Sequence, residues 1–501
     1  MNTNYLFTIQ RIKQSYENEE KHHPSNKYIV LYRAIKKCII SIELPHQWTL
    51  PSTRVLANEI SLSRTTIVKS YELLLLEKLI ESKQGSGYIV NFEASTTKEN
   101  SAPLNALDGS LYPDISSKGK SFLLNISLIN RVTDGKGVAF RPGLPPLDIF
   151  PINRWKNLLN TYWRHTKSSG LSYARSTGIE PLKRSIANYL NISRNIKCDH
   201  QQIIVVSGSL QSLYLIANVL IDKGDNVILE NPAFPNVHSI FKSMQANLLP
   251  IRLDKEGIDI EKMNELSHLN PKLVHVTPSN HYPLGIKMSL KRRKELLAWA
   301  SKNKTLIIEN DYENEIANNQ QQVPSIFSLD TEDRTIYVGT FNRLLHPSIR
   351  LGYMVVPKYL IGAVEALQEH SHRFVAPSIQ VVMNQFIERN YLYQHLKNIT
   401  EAAEERHGLF VKHFQENTDT MYLENTSFSS LHVLAKPYAP MDSNQESELI
   451  EKLAKKGITT HALGKCFIGN EKQQGLILGY SSVRPTTLIK TVKKMTQILQ
   501  K

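Results

Sequence analysis

From residue 203 onward, short β-branched runs alternate with helical stretches: IIVVSG precedes LQSLYLIANVLI, NVILENP precedes a helix near Asn236, and KLVHVTPS, TLIIEND and TIYVGTF continue the series. Strands separated by helical crossovers predict an α/β unit, a doubly wound and mainly parallel sheet with helices on both faces. No internal repeat interrupts this pattern. With 501 residues, 41% of them hydrophobic, the chain has room for two or three domains and a large core.

The alternation does not extend to the N-terminal part. Charged and apolar residues recur at helical spacing from Lys27 to Leu79, and a glycine-punctuated strand pair closes at Val90. ASTTKENSAPLNALDGSLYPDISSKGKS, from Ala94 to Ser121, is rich in Ser, Thr, Asn, Pro and Gly and reads as a linker. The expected organisation is an extension over 1–26, a small domain over 27–91, a linker over 92–130 and a large domain over 131–501. That large domain is read as a main subdomain near 165–375 and a smaller C-terminal α+β subdomain near 376–501. A formal charge of +14 and a pI near 9.3 favour an anionic partner such as nucleic acid. Cys38, Cys198 and Cys466 are far apart and lack zinc-site spacing, so no metal site is expected and a reducing cytoplasm suits them. No run of about eighteen apolar residues and no apolar leader segment is present, so neither a membrane span nor a signal peptide is expected.

In LPSTRVLANEISLSRTTIVKSYELLLLEKLIESKQGSGYIV, Pro51 and Ser52 open a helix that buries Leu56, Ala57 and Ile60. A turn at Ser61 and Leu62 follows. Ser63 then caps a second helix whose inner stripe is Ile67, Tyr71, Leu74 and Leu75. Its first turn turns Arg64, Thr65, Thr66 and Lys69 outward, a set of small hydroxyls and long cations suited to phosphates and base edges in a major groove. Leu79–Lys83 and Tyr88–Val90, joined by Gly85, Ser86 and Gly87, form a wing. The Leu-Pro-Ser start, Arg-x-Leu-Ala middle, Ser-Arg-x-Thr entry and closing Gly-Ser-Gly resemble the winged helix-turn-helix of the GntR superfamily. The resemblance implies contacts to double-stranded DNA from Ser52, Arg54, Ser63, Arg64, Thr65, Thr66, Lys69 and Gly87.

Seven later segments keep a fixed order: PGLPPLDIFPINRW, LSYARSTGIEPLKRSIANYL, VSGSLQSL, ENPAFPN, TPSNHYPLG, IIENDYENE and GTFNRLLHPSIRLGY. Together with the winged helix they resemble the MocR family, also called the GabR type, which couples DNA reading to a fold-type I, pyridoxal phosphate (PLP) transferase-like domain. The resemblance implies a homodimer, head to tail, and a small-molecule effector. It also assigns a cofactor pocket. Gly208 and Ser209, between a strand and a helix, offer backbone N–H groups to a phosphate. Thr340 and Arg350 supply a hydroxyl and a guanidinium to the same group. Phe234 is the ring that stacks on the pyridine, Tyr312 the phenol that meets the ring hydroxyl, and Tyr173 the residue that reaches the neighbouring subunit's phosphate.

Three positions depart from the family pattern. Arg343 stands where the family lysine condenses with the PLP aldehyde, and a guanidinium, always protonated and delocalised, offers no amine for an imine. Asn310, 33 residues earlier, replaces the aspartate that pairs with the protonated pyridine nitrogen, and a neutral amide holds no proton there by charge. Asp311 beside it falls on the other face of an alternating strand. Ile477 replaces the arginine that clamps a substrate carboxylate, leaving Arg484 as the nearby cation. No catalytic residue is therefore expected, PLP or a related phosphate ligand is expected without a covalent bond, and the leading reading is a DNA-binding transcription regulator. The alternative is a PLP-dependent aminotransferase-like enzyme, or a regulator that binds PLP non-covalently. His281 and His346 read as ordinary loop histidines, and Cys466 with His461 lacks the orienting third group of a nucleophile triad.

Overall fold

The computed structural model describes residues 3–83, 87–92, 113–129, 139–317, 323–470 and 472–500. The chain divides into two compact units, Met1–Pro113 and Asp114–Lys501.

The first unit runs α1 (Thr3–His22), α2 (Lys27–Ile40), β1 (Thr49–Leu50), α3 (Thr53–Glu59), α4 (Arg64–Leu76), β2 (Ile80–Lys83) and β3 (Gly87–Val90). Its strands form an antiparallel sheet in the order β1-β3-β2, with Ile80 opposite Val90. Apolar residues three and four apart bring Leu56, Ala57 and Ile60 of the α3 segment against Ile67, Tyr71 and Leu74 of α4 and Val30, Leu31 and Ile35 of α2. The Tyr71 hydroxyl, buried in this core, donates to Pro51 O at 2.8 Å and so fixes the entry to α3. The first 26 residues, read from sequence only as an extension, contain α1, which adds Ile9, Ile12 and Tyr16 to the same core. Trp48 Nε1 donates to Thr8 Oγ1 at 2.8 Å across that contact. Gly85 and Ser86 of the wing turn lie outside the described residues.

The second unit holds an eight-stranded sheet of β4 (Ile203–Val206), β5 (Asn226–Asn231), β6 (Asn247–Asp254), β7 (Gly257–Ile258), β8 (Leu273–Val276), β9 (Leu306–Asn310), β10 (Thr335–Thr340) and β11 (Gly352–Val355). The order is β4-β11-β10-β9-β8-β5-β6-β7, parallel except for β11 and β7. Strand alternation divides the side chains between two helical layers. Val205, Tyr337, Tyr353 and Val355 pack with Leu182, Ile186 and Phe386, whereas Ile204, Val206, Val338 and Met354 pack with Leu213 and Ile216 of helix Ser209–Leu220. A second, antiparallel sheet, β12 (Met421–Leu423), β13 (Val433–Pro437), β14 (His461–Ala462) and β15 (Leu476–Leu478), has the order β12-β13-β15-β14. Helix Tyr391–Asn417 places Leu392 in the large core and Phe410 and Phe414 in the core of this smaller layer, alongside Phe140.

Helix Ser117–Asn125 lies within the stretch whose composition reads as linker. Ser116 caps it by accepting from Gly119 N at 3.1 Å, Phe122 packs against the large core, and Ser239 Oγ donates to Asn125 O at 3.0 Å. One aromatic anchor and a serine cap make a short docked helix that a composition count does not separate from linker. Of the linker reading over 92–130, residues 93–112 and 130 lie outside the described residues, as do 131–138 of the expected large domain.

Candidate functional site

The first unit presents one polar face around the start of α4. Ser63 caps that helix, its hydroxyl accepting from Thr66 N at 3.2 Å, and Arg64, Thr65 and Lys69 are exposed with Thr66 half-buried. Lys69 lies over the Tyr28 ring at 5.6 Å. Ser52 caps α3 through Val55 N, and its own N–H donates to the Tyr5 hydroxyl at 3.1 Å. Arg54 and Gly87 are exposed as well, and Gly87 sits at φ +82°, where a side chain would be strained. Thus all eight residues singled out for DNA reading lie in one small unit, seven of them on α3, α4 and their caps and Gly87 on the wing. Tyr5 was missed, because only the fold brings the first turn of α1 to the start of α3.

The second unit carries a cavity of about 800 Å³ beyond the carboxyl ends of β4, β8, β9 and β10, the usual location of ligands in an open α/β sheet. Gly208, Ser209, Phe234, Asn310, Tyr312, Thr340, Arg343 and Arg350 all line it. Tyr173 does not; it is 80% exposed, edge-on to Phe374 and beneath the Arg373 guanidinium.

The cup expected to hold a phosphate combines backbone and side chains. Gly208, at φ +130°, caps helix Ser209–Leu220, and a Cβ there would lie 2.5 Å from Asn342 Nδ2. Asn342 accepts from Leu351 N at 3.0 Å and so ties the cup to the segment carrying Arg350. Thr340, buried at the end of β10, accepts from Asn342 N at 3.2 Å, which leaves its O–H to donate. Arg350 Nη2 reaches Ser207 Oγ at 3.5 Å. Sequence reasoning missed Asn342, since an amide in a polar loop carries no signal without its partners.

On the sheet side, Asn310 shares the face of Ile308, while Asp311 turns the other way into an ion pair with Arg194 at 2.7 Å and accepts from the Tyr337 hydroxyl at 2.8 Å. Asn310 Nδ2 meets His275 Nε2 at 3.2 Å, and Asn310 Oδ1 is buried without a partner. Asn236 Oδ1, also on the cavity wall, is in the same condition. Burial holds His275 down at about 4, so that imidazole is neutral near pH 7.

Arg343 is folded against the floor. Its Nη1 donates to Glu313 Oε1 at 2.8 Å, and its guanidinium carbon is 5.0 Å from the centroid of the Tyr312 ring. Glu313, fully buried, also accepts from Asn280 Nδ2 and Ser430 Oγ, both at 3.0 Å. Gly143, at φ +81°, lies against the same guanidinium, and a Cβ there would sit 2.3 Å from Nη1. The Tyr312 hydroxyl donates to Asn280 O at 3.1 Å. This floor receives a ring and hydrogen-bond acceptors; at position 343 it offers a guanidinium and no primary amine. A PLP-sized ligand fits the cup, Phe234 and the bare oxygen of Asn310, while an imine does not fit Arg343.

Both units match proteins of known family. The description "Aminotransferase class I and II" covers residues 145–466, and "Bacterial regulatory proteins, gntR family" covers residues 27–90. The chain belongs to the class I and II aminotransferase family. It carries a GntR-type helix-turn-helix in front of that domain, the combination found in regulators of the MocR type. A probable rhizopine catabolism regulatory protein, MocR of Rhizobium meliloti, is 29% identical over 91% of this chain and 90% of its own. The HTH-type pyridoxine biosynthesis transcriptional regulator PdxR of Corynebacterium glutamicum is 24% identical over 93% of this chain and 94% of its own. A kynurenine aminotransferase from Pyrococcus horikoshii superposes with a TM-score of 0.66 at 22% identity, covering 79% of this chain and 97% of that one. That likeness concerns the fold.

Other expected residues lie off the cavity. Ile477, expected at the position of the family clamp, is buried beside Tyr282, Tyr312 and Cys466. Arg484 is 72% exposed, its Nε 3.6 Å from Asp148, and does not line the wall. His346 meets Ser348 Oγ at 2.8 Å and packs edge-on to Phe150. His281, expected as an ordinary loop residue, is fully buried, with neither ring nitrogen hydrogen-bonded and Nε2 3.7 Å from Glu230. The Cys466 thiol is pushed up by burial and inert, while His461 lines the cavity. Arg141 and Lys465 are cavity cations that sequence reasoning passed over.

Proposed function

We propose that this protein is a sequence-specific, DNA-binding transcription regulator of the cytoplasm whose aminotransferase-like unit binds a phosphate-bearing small molecule without a covalent bond. The observation that carries the reading is the pairing of an exposed, serine-capped α4 with a pocket floor whose only basic group at the lysine position is a guanidinium bound to Glu313. The relatives' names point the same way, since MocR and PdxR are named as regulators.

DNA affinity arises from Arg54, Arg64 and Lys69 on phosphates, with Thr65 and Thr66 in the first turn of α4 at base edges. Ser52, Ser63 and Gly87 place backbone N–H groups and the wing along the strand. In the pocket, Ser209, Thr340 and Arg350 hold a phosphate, Phe234 covers a ring and Asn310 Oδ1 accepts from it. When PLP is the ligand it brings an electron-withdrawing ring, and Arg343 leaves its aldehyde unbonded. A homodimer, head to tail with Tyr173 directed to its partner, gives ligand and operator two arrangements to bias by differential affinity. No described helix is long and apolar enough to cross a membrane.

Two measurements test this. Footprinting on the promoter of the protein's own gene is expected to show a protected site that Arg64→Ala weakens at least tenfold, and protection unchanged by Arg64→Ala overturns the DNA reading. Borohydride treatment of protein saturated with PLP is expected to leave no cofactor attached; a stable adduct at the cavity revives the enzyme reading.

A further inference from the structure

The described cavity wall contains four cations, Arg141, Arg343, Arg350 and Lys465, and no aspartate or glutamate. Arg343 is balanced by Glu313 just behind the wall. Arg350 belongs to the phosphate cup. Arg141 and Lys465 remain, and no acidic side chain among the described residues makes an ion pair with either. Glu446, the carboxyl that Lys465 feels, is instead engaged by backbone, accepting from Gly464 N at 3.1 Å and Gly475 N at 2.9 Å.

His461 lies among these charges. Burial, then Arg343, Arg141 and Lys465, push it down to about 4, so it adds no positive charge near pH 7. Among the described residues the cavity thus presents three cations without an ion-pair partner in two places, Arg350 at the cup and Arg141 with Lys465 near His461. A phosphate monoester near pH 7 carries about −1.5 to −2. It neutralises the cup and leaves the second group of cations uncompensated. Two buried acceptors, Asn236 Oδ1 and Asn310 Oδ1, also lack donors, and a buried polar atom without a partner costs about 1–3 kcal/mol.

We propose that the ligand of this cavity is a single organophosphate that also carries a carboxylate, its phosphate at Ser209, Thr340 and Arg350 and its carboxylate received by Arg141 and Lys465. The body between the two acids carries N–H or O–H donors for Asn236 and Asn310. This rests on the reading of the cup as a phosphate site and adds to it a second anion subsite. The position expected for the family's carboxylate clamp is Ile477 here, buried in an apolar cluster and not on the described cavity wall, so an acid entering this cavity finds its counter-ions in Arg141 and Lys465.

Calorimetry with the full-length protein and two stable probes tests this. Pyridoxamine 5′-phosphate has the phosphate alone, and N-(5′-phosphopyridoxyl)-L-leucine adds a carboxylate through a secondary amine that needs no imine. The leucine adduct is expected to bind at least tenfold more tightly. Lys465→Gln and Arg141→Gln are expected to remove that difference while leaving the affinity for pyridoxamine 5′-phosphate within twofold, and Arg350→Ala to weaken both probes. Lys465 is exposed, so its variant stays folded and carries the test even where Arg141→Gln does not. Equal affinities for the two probes, or a preference that survives Lys465→Gln, overturn the second subsite and leave the phosphate reading standing. Absence of binding by both probes overturns the phosphate reading, and the second subsite falls with it.

Discussion

A guanidinium at position 343 changes more than reactivity, because a buried carboxylate has come to depend on it. Glu313 is fully buried, and Arg343 is its only cationic partner among the described residues. Breaking a buried pair by removing one member typically costs about 3–5 kcal/mol. Arg343→Ala is expected to destabilise the second unit by about that amount, as read from the midpoint of urea unfolding; an unchanged midpoint means that Glu313 finds protons or water elsewhere. Arg343→Lys keeps the charge and restores an amine, so PLP should then give a borohydride-reducible product, with turnover slow because Asn310 supplies no charge to the ring. A second residue-scale effect concerns pH. Burial pushes Glu230 up to about 8, while Thr277 N and Oγ1 donate to it at 2.9 and 2.8 Å. Its neighbour His281 is pushed down to about 3 by burial, so the two face each other uncharged near pH 7. An acid whose folded value is raised stabilises the fold below its unfolded value and loses that contribution as pH rises through the folded one. Stability is therefore expected to fall between the ordinary glutamate value and about 8. The slope is at most about 1.4 kcal/mol per pH unit from this group. Glu230→Gln, which still accepts from Thr277, is expected to flatten that slope in unfolding measurements at pH 6 and pH 8; equal slopes in both proteins assign the effect to other groups.

At the scale of elements, capping serines position both recognition helices. Ser52 and Ser63 stand in extended backbone at the starts of α3 and α4 and accept from Val55 N and Thr66 N. Ser63→Ala is expected to destabilise the first unit by about 1 kcal/mol and to weaken DNA binding by more than that loss of folded protein explains, since the same turn carries Arg64 and Thr65. Thermal unfolding compared with a titrated gel shift separates the two effects. These helices were readable from sequence because apolar spacing and cap residues are local signals. Helix Ser117–Asn125 was not, because its stability comes from docking Phe122 and Asn125 onto distant elements. The role of α1 was equally invisible, since Ile12 and Tyr16 acquire meaning only against α2.

Considered whole, each unit buries its own clusters, the first from residues 9–90 and the second from residue 140 onward. A chain of residues 114–501 is accordingly expected to keep its cooperative unfolding transition and its affinity for pyridoxamine 5′-phosphate while losing the gel shift. Retained DNA binding in that truncation removes the first unit from the role assigned to it.

The amino-acid sequence alone determined the fold class and the two kinds of unit, because periods of two and near four, with caps and glycines, are written in neighbouring residues. It also carries the expectation that Arg343, Asn310 and Ile477 depart from the family pattern, since each stands in a frame of recognisable anchors. Tertiary structure decided what those departures mean. Only the folded chain brings Glu313 beneath Arg343, sends Asp311 to Arg194, brings Arg141 and Lys465 to one cavity and leaves Asn310 Oδ1 bare. Charge balance and hydrogen-bond satisfaction are sums over groups near in space and far apart along the chain, and such sums exist only after folding.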